Sequence, residues 1–327
     1  MRSKVTFLIP YFGKLPNYFD LFLKSCEFNR NYLWIIFTDD TTERRWPSNV
    51  LHVAMSFDEL KKKIQSKFDF EIKITDPHKL CDYKPAYGYI FEEYLEESDY
   101  WGHCDIDTIL GNFGSFLDEL LSKKFDKLFC LGHMEIYKNT YDNNRVFMLP
   151  VNGKYWYKES FSSERTTVFD ESGNGVENIN TIYNKRIFTE DFSMNCSIVP
   201  TRFVKVTYCD NTDSFITEKT KDALYIFNNG DLYRLYRRGR EIVREDFLYI
   251  HLQLRKMKVK DGVLKASRFK ILENQFALIE NENIFRNHGK SISVSEFKSI
   301  KRHTFSLRFF KLQLKWKINK IKKILGG

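Results

Sequence analysis

Two carboxylates separated by one apolar residue, Asp105-Ile106-Asp107, close the run Tyr100-Trp101-Gly102-His103-Cys104. If that run is a strand, side chains alternate between its faces, so both acids point one way and Ile106 points back to the core. Neighbouring carboxylates repel and resist desolvation, and the usual remedy is a divalent cation. Hard oxygen ligands at a strand end suit Mn²⁺ or Mg²⁺, above all when a substrate diphosphate completes the shell. An exposed strand-to-turn transition carrying two Asp is the plain alternative. The neighbours favour chemistry. Pro10-Tyr11-Phe12-Gly13 follows the first apolar run and Asp39 the second, and ligands of open α/β sheets collect at the carboxyl ends of strands. Tyr11 or Phe12 can stack on a base, and Asp39 can accept hydrogen bonds from the base or ribose. Capping a turn is the competing role for Asp39.

Those strand ends require a sheet. Residues 5–9 read as a buried strand, 33–37 as a second apolar strand and 50–54 as a third, short one. Between them, Phe19, Phe22, Leu23 and Cys26 have helical spacing. Ser56 with Glu59 three residues on is a capping box, opening a helix that runs to about residue 67. Strand and helix in alternation predict a parallel α/β sheet. Pro85 is expected to open a further helix with Tyr87, Ile90, Phe91, Tyr94 and Leu95 on its apolar stripe. Residues 117–121 read as helix, and 127–131 as a strand ending at Gly132-His133. From residue 139 the chain turns polar and aromatic with many Asn and Gly turn signals, predicting a long functional loop region with short elements. Strand character resumes at 202–208, and Asn228-Asn229-Gly230-Asp231 predicts a hairpin.

The 327 residues carry a net charge of +9, but unevenly. Ten basic residues and no acidic one follow Glu296, leaving 42 basic against 43 acidic in the first 296. The body therefore lacks the basic excess of a nucleic-acid-binding domain, and no nucleic acid partner is expected. Six cysteines are scattered without a CxxC pair, as buried reduced thiols would be. There is no apolar run of 18 residues, so no spanning helix is expected. The opening apolar run is too short for a signal peptide, which puts the expected location in the cytoplasm.

Three segments together resemble a family of bacterial GT-A-type glycosyltransferases of capsule and O-antigen loci. They are Phe7-Leu8-Ile9-Pro10-Tyr11-Phe12-Gly13, Lys79-Leu80-Cys81-Asp82-Tyr83-Lys84-Pro85-Ala86-Tyr87-Gly88 and Trp101-Gly102-His103-Cys104-Asp105-Ile106-Asp107. The resemblance spans residues 1–255. It implies a GT-A-like fold, a single Rossmann-type mixed sheet flanked by helices, with a UDP-type nucleotide-diphosphate sugar as donor and Mn²⁺ or Mg²⁺ as cofactor. In such enzymes the first Asp of the pair contacts ribose or sugar and the last binds metal, which carries over to Asp105 and Asp107. His251 resembles the late histidine that completes the metal shell with Asp105 and Asp107. Apart from the resemblance, a structural histidine is the simpler reading. Arg255 and Lys256 would then face the donor phosphates. Lys84 either contacts the diphosphate or sugar or is a solvated lysine, and His133 either lines the sugar pocket or ends a turn. Inverting transfer needs a carboxylate base. Asp170 and Glu171 come first, with Asp191 as the further candidate. The expected sugar is a hexose, with galactose in pyranose or furanose form as the guess. The expected acceptor is a lipid-linked surface-polysaccharide intermediate. This divides the chain into a donor-binding and catalytic domain at 1–255, with 139–200 on the acceptor side, an extension at 256–296 and a tail at 297–327.

In that tail Leu307, Phe310, Leu314, Ile318, Ile321 and Leu325 share one helical face, flanked by Lys311, Lys315, Lys317 and Lys322. This predicts a basic amphipathic helix lying on the anionic inner face of the cell membrane. Packing on the body or on a partner subunit is the alternative. Two other functions fit parts of the sequence. One is a non-catalytic membrane-surface or nucleic-acid-binding protein acting through the tail. The other is a metal-dependent nucleotidyltransferase or phosphotransferase, which no Gly-rich phosphate loop supports.

Overall fold

Uninterrupted apolar runs make strands buried on both faces, and such strands pair in parallel. Two of these, with a half-exposed third, build one half of a seven-stranded sheet. β1 (Ser3–Pro10), β2 (Tyr32–Thr38) and β3 (Val50–Ala54) are parallel, with α1 (Phe19–Glu27) and α2 (Phe57–Gln65) following β1 and β3. The capping box of α2 is formed as predicted: Ser56 accepts from the Glu59 amide while the Glu59 carboxylate accepts from the Ser56 amide.

The computed structural model describes residues 3–171, 175–196, 203–209, 214–219, 223–253, 255–272 and 274–280, with Lys311, Leu314, Lys317 and Ile318. They fall into two compact units. The first is Met1–Ile106 with Phe113–Asp191; the second is Asp107–Asn112 with Phe192–Gly327.

In the first unit the chain returns to the other side of β1 as β4 (Ser98–Cys104), parallel to it. β6 (Lys127–Leu131) and β7 (Met134–Lys138) then add antiparallel, and the two-residue β8 (Ile187–Phe188) closes the order β3-β2-β1-β4-β7-β6-β8. This is the expected mixed α/β sheet flanked by helices. The helix expected from Pro85 is different in kind. A 3₁₀ stretch already begins at Pro77, and α3 (Tyr87–Ile90) is a single turn followed by another 3₁₀ turn. Aromatic packing outweighs helical period here: Tyr83 stacks on Phe161 with centroids 4.0 Å apart, and Phe37 on Phe91 at 4.4 Å. α4 (Gly114–Ser122) precedes β6, while α5 (Trp156–Ser162) and α6 (Val176–Ile182) punctuate the polar region.

The second unit holds two further sheets, where a single sheet was expected. The first has the order β11-β10-β9-β15-β5 and comprises β5 (Thr108–Leu110), β9 (Ser193–Cys196), β10 (Phe203–Cys209), β11 (Ser214–Lys219) and β15 (Tyr249–His251). The second has the order β14-β13-β12-β17-β18-β16. It comprises β12 (Ala223–Asn228), β13 (Asp231–Arg238), β14 (Glu241–Asp246), β16 (Lys258–Val259), β17 (Arg268–Ile271) and β18 (Gln275–Ala277). Hydrophobic alternation marks strands but carries no label for the sheet they join. The predicted hairpin is β12–β13, with Asn228 opposite Asp231 and positive φ at both Asn229 and Gly230, as a type I′ turn requires. Apart from Lys311, Leu314, Lys317 and Ile318, which are helical, the amphipathic tail lies outside the described residues. No helix among the described residues is long and apolar enough to cross a membrane.

One close approach fixes α3 against β4. A Cβ on Gly88 would lie 2.2 Å from the Trp101 indole, which is itself stacked on Tyr137 at 4.5 Å and donates to Asn144 Oδ1 at 2.7 Å. Gly88→Ala should therefore cost about 1–3 kcal/mol, seen as a lower urea midpoint with an unchanged m-value.

Candidate functional site

The strand order reverses between β1 and β4, since the chain passes from β1 to β2 on one side and returns to β4 on the other. In doubly wound sheets the crevice at such a switch point, beyond the carboxyl ends, is where ligands bind. Pro10 ends β1 there, and Asp105 directly follows β4.

β4 stops at Cys104, so Asp105-Ile106-Asp107 is a turn and not a strand end. The alternation expected to aim both acids to one face does not run through them. Asp105 is partly exposed, while Ile106 and Asp107 are buried. The Asp105 amide donates to the His133 carbonyl at 2.9 Å, which ties the turn to the β6–β7 connection.

Within the first unit Lys84 organises the acids around Asp105. Its ammonium donates to Asp105 Oδ1 at 2.8 Å and to the Gly132 carbonyl at 2.7 Å, and lies 3.9 Å from Asp170 Oδ2. Burial alone would lower its affinity for the proton, but the Asp105 and Asp170 carboxylates outweigh that and raise it well above the ordinary lysine range. Lys84 is thus a fixed positive charge. The Gly132 amide donates to Glu171 Oε1 at 2.8 Å. A Cβ on Gly132 would lie 2.6 Å from Asp170 Oδ2 and 2.7 Å from Glu171 Oε1, so only glycine lets both acids this close.

The loop bearing those acids is anchored by a buried ion pair that sequence reading did not assign. Lys79 Nζ meets Asp82 Oδ2 at 2.6 Å and also donates to the carbonyls of Ser160 and Arg165. Asp82 in turn accepts from the amides of Thr167 and Phe169. Between them Val168 sits at φ +56°, a conformation that costs a β-branched residue on the order of 1–3 kcal/mol. Lys79 and Asp82 are three residues apart inside a segment the resemblance singled out, but nothing local points to partners some 85 residues on.

Asp170 is only 3% exposed, and its Oδ1 has no hydrogen-bond partner among the described residues. Burial pushes its carboxyl up to about 8; Lys84 pulls against this, while Glu171, Glu135 and Asp105 add to it. Burial also raises Glu171. Beneath the site, Glu135 on β7 pairs with Lys127 at 2.9 Å and with His103 at 3.3 Å. Burial would raise Glu135, but Lys127, His103 and the Tyr137 hydroxyl hold it down to about 2.

Within the second unit, Asp107 Oδ1 faces His251 Nε2 at 3.4 Å. His251 Nδ1 lies 3.2 Å from Asn195 Oδ1 and 3.4 Å from Gln253 Nε2. Hydrogen bonding at Nδ1 directs the imidazole so that Nε2 meets the carboxylate, the arrangement in which a histidine and an aspartate share a cation or a proton. Carboxylate oxygen and imidazole nitrogen are both donors that a divalent cation can take.

The remaining predicted residues lie as follows. Pro10 and Tyr11 are partly buried at the β1 end, and Phe12 is buried against Phe57 at 5.3 Å. Asp39 is exposed at the β2 end, where its Oδ1 accepts from the Gly13 amide at 2.7 Å, the turn-holding role foreseen as its alternative. His133 is buried in the β6–β7 connection. Asp191 is buried between β8 and β9. Arg255, partly buried, and Lys256, exposed, follow β15.

Residues 7–280 match the family described as "Family of unknown function (DUF6625)". No curated protein matches the chain. Among solved structures it is similar to the glycosyltransferase GlyE of Streptococcus pneumoniae TIGR4, with 10% identity and a TM-score of 0.27, covering 57% of this chain and 45% of that one. It is also similar to the galactosyltransferase LgtC, solved with donor and acceptor sugar analogues, with 11% identity and a TM-score of 0.27, covering 58% and 75%. The chain thus spans less than half the length of GlyE.

The Asp170 carboxyl has a definite signature in solution. Its folded value near 8 lies above its unfolded value near 4, so between these pH values the folded state holds a proton that the unfolded state has lost. Stability should therefore fall as pH rises from about 4 to about 8, by a few kcal/mol at most. In Asp170→Asn that fall should flatten, as read by denaturant midpoints across the pH range.

Proposed function

We propose that this chain, which belongs to the family of unknown function DUF6625, is a metal-dependent glycosyltransferase. In this reading it moves a hexose, galactose being the first choice, from a UDP-type donor to a lipid-linked surface-polysaccharide intermediate. The observation that supports it best is the set of acids at the carboxyl end of β4. Asp105 is tied to Lys84, Asp170 lies 3.9 Å from the same ammonium with Glu171 next to it in sequence, and the chain continues within two residues to Asp107 and its partner His251.

Asp107 and His251 fit a divalent cation by donor type, with Asp105 two residues earlier as the third ligand proposed. When bound, such an ion offsets the negative charge that a leaving diphosphate develops. The protein supplies the rest. Lys84 orients Asp105 toward the donor ribose or sugar. Pro10, Tyr11 and Asp39 form the rim at the β1 and β2 ends where the nucleoside docks. Arg255 and Lys256 provide positive charge for the donor phosphates.

Asp170 takes the acceptor hydroxyl proton, assisted by Glu171. A base whose affinity for protons falls near the working pH is both available and strong enough, and burial tunes Asp170 in that direction. In inverting transfer the hydroxyl oxygen forms its bond to the anomeric carbon as the bond to the diphosphate oxygen breaks. The proton then resides on the Asp170 carboxyl. The tail, whose Leu314 and Ile318 are helical and exposed, is assigned to the inner membrane surface where a lipid-linked acceptor is found.

A thermal-shift screen of UDP-sugars with and without Mn²⁺ tests the reading, because ligands stabilise by mass action. One UDP-sugar should raise Tm only when Mn²⁺ is present. Asp107→Ala should abolish that metal dependence and His251→Ala should weaken Mn²⁺ binding, both with the fold retained. Metal-dependent transfer at full rate in Asp107→Ala would end the assignment. Deleting residues 297–327 should release the protein from anionic vesicles while donor binding persists. If donor binding is lost with the tail, a binding module acting through that tail is the better account.

A further inference from the structure

We infer that Asp82, locked by Lys79, is the positioning residue for the Asp170–Glu171 pair. This rests on the transferase reading only for what the pair does, not for how it is held. Four observations converge. Asp82 is fully buried, and its carboxylate meets one ammonium and two amides. Both amides, of Thr167 and Phe169, flank Val168, whose positive φ turns the chain and is not a conformation valine adopts unaided. The next two residues are the acids, and they arrive against a glycine with no room for a Cβ. The far side of the clamp is closed as well, because Lys79 holds the carbonyls of Ser160 and Arg165 and so fixes the loop from its N-terminal side.

The logic is that of a splint. A turn that the chain would relax by itself is held by two charge-assisted hydrogen bonds from a carboxylate that cannot move, since its own counter-ion is buried with it. Loss of the clamp lets Val168 return to negative φ. That rotation carries Asp170 away from Lys84 and Glu171 away from the Gly132 amide.

Asp82→Asn leaves the Lys79 charge buried without a counter-charge and can fail to fold. The informative variant is therefore Lys79→Met with Asp82→Leu, which removes both charges. Val168→Pro, which forbids positive φ, keeps the ion pair and breaks the turn. In the double variant, amide exchange at Thr167 and Phe169 should accelerate at least 10-fold, with exchange in β1 and β4 unchanged. The carbon-13 carboxyl signal of Asp170 should then titrate in the ordinary aspartate range. Transfer kcat should drop 10- to 100-fold in both variants, with the KM for the donor within 2-fold of wild type. A merely structural pair would move Tm and the exchange of the whole unit together. Protected Thr167 and Phe169 amides in the double variant, or a raised donor KM at full kcat, would overturn the assignment. The exchange and carboxyl signals need no turnover. A wild-type protein that shows the expected signals but transfers no sugar therefore sinks the transferase reading and leaves the positioning role standing.

Discussion

One ammonium holds the acids around Asp105 together. Asp105, Asp170 and Glu171 are gathered at the carboxyl end of β4, and carboxylates brought this close raise one another's energy unless a cation stands among them. Lys84 supplies that charge, touching Asp105 and a main-chain carbonyl and lying near Asp170. Its position follows from the 3₁₀ stretch that carries it, where Pro85 next in sequence suppresses regular helix and Tyr83 and Tyr87 are buried on either side.

Two kinds of ion pair start from lysines five positions apart, Lys79 and Lys84. Lys79–Asp82 is sealed and saturated: each partner also satisfies main-chain groups, which is what makes a buried pair affordable. Lys84–Asp105 is partly open, with the Asp105 side chain about a third exposed. The sealed pair shapes the loop. The open one can exchange partners when an anionic ligand arrives. Asp170 belongs to neither; it is buried, lacks a donor to Oδ1 among the described residues and is correspondingly reluctant to ionise.

Much of this was visible in the residues themselves. Apolar runs located β1, β2, β3 and β6, the Ser56–Glu59 box located the start of α2, and Asn-Gly located the β12–β13 turn. Asp105, Lys84, Asp170 and Glu171 were each singled out from local pattern and resemblance, and they do converge. What local pattern missed has a common cause. The turn at 105–107 looked like strand because Ile106 is apolar and buried, yet burial there comes from tertiary packing. The helix expected after Pro85 dissolved into short turns because ring stacking set the backbone. Asp82 and Gly132 act on residues 85 and 38 positions further along, a distance over which periodicity carries no information. The division into units was hidden for the same reason, since a strand's sequence does not say which sheet it will join.

The chain leaves the first unit after Ile106, contributes β5 to the second, returns at Phe113 and leaves again after Asp191. β5 pairs with β15, and Ile109 lies opposite Ile250, some 140 residues later. During synthesis this short, wholly buried strand emerges long before the strand that will cover it. It must wait through the completion of an entire neighbouring sheet, and loop closure over that span is slow. The β1–β4 half is free to consolidate early, whereas the ladder beginning just past Asp107 can be closed only when His251 and its strand have emerged.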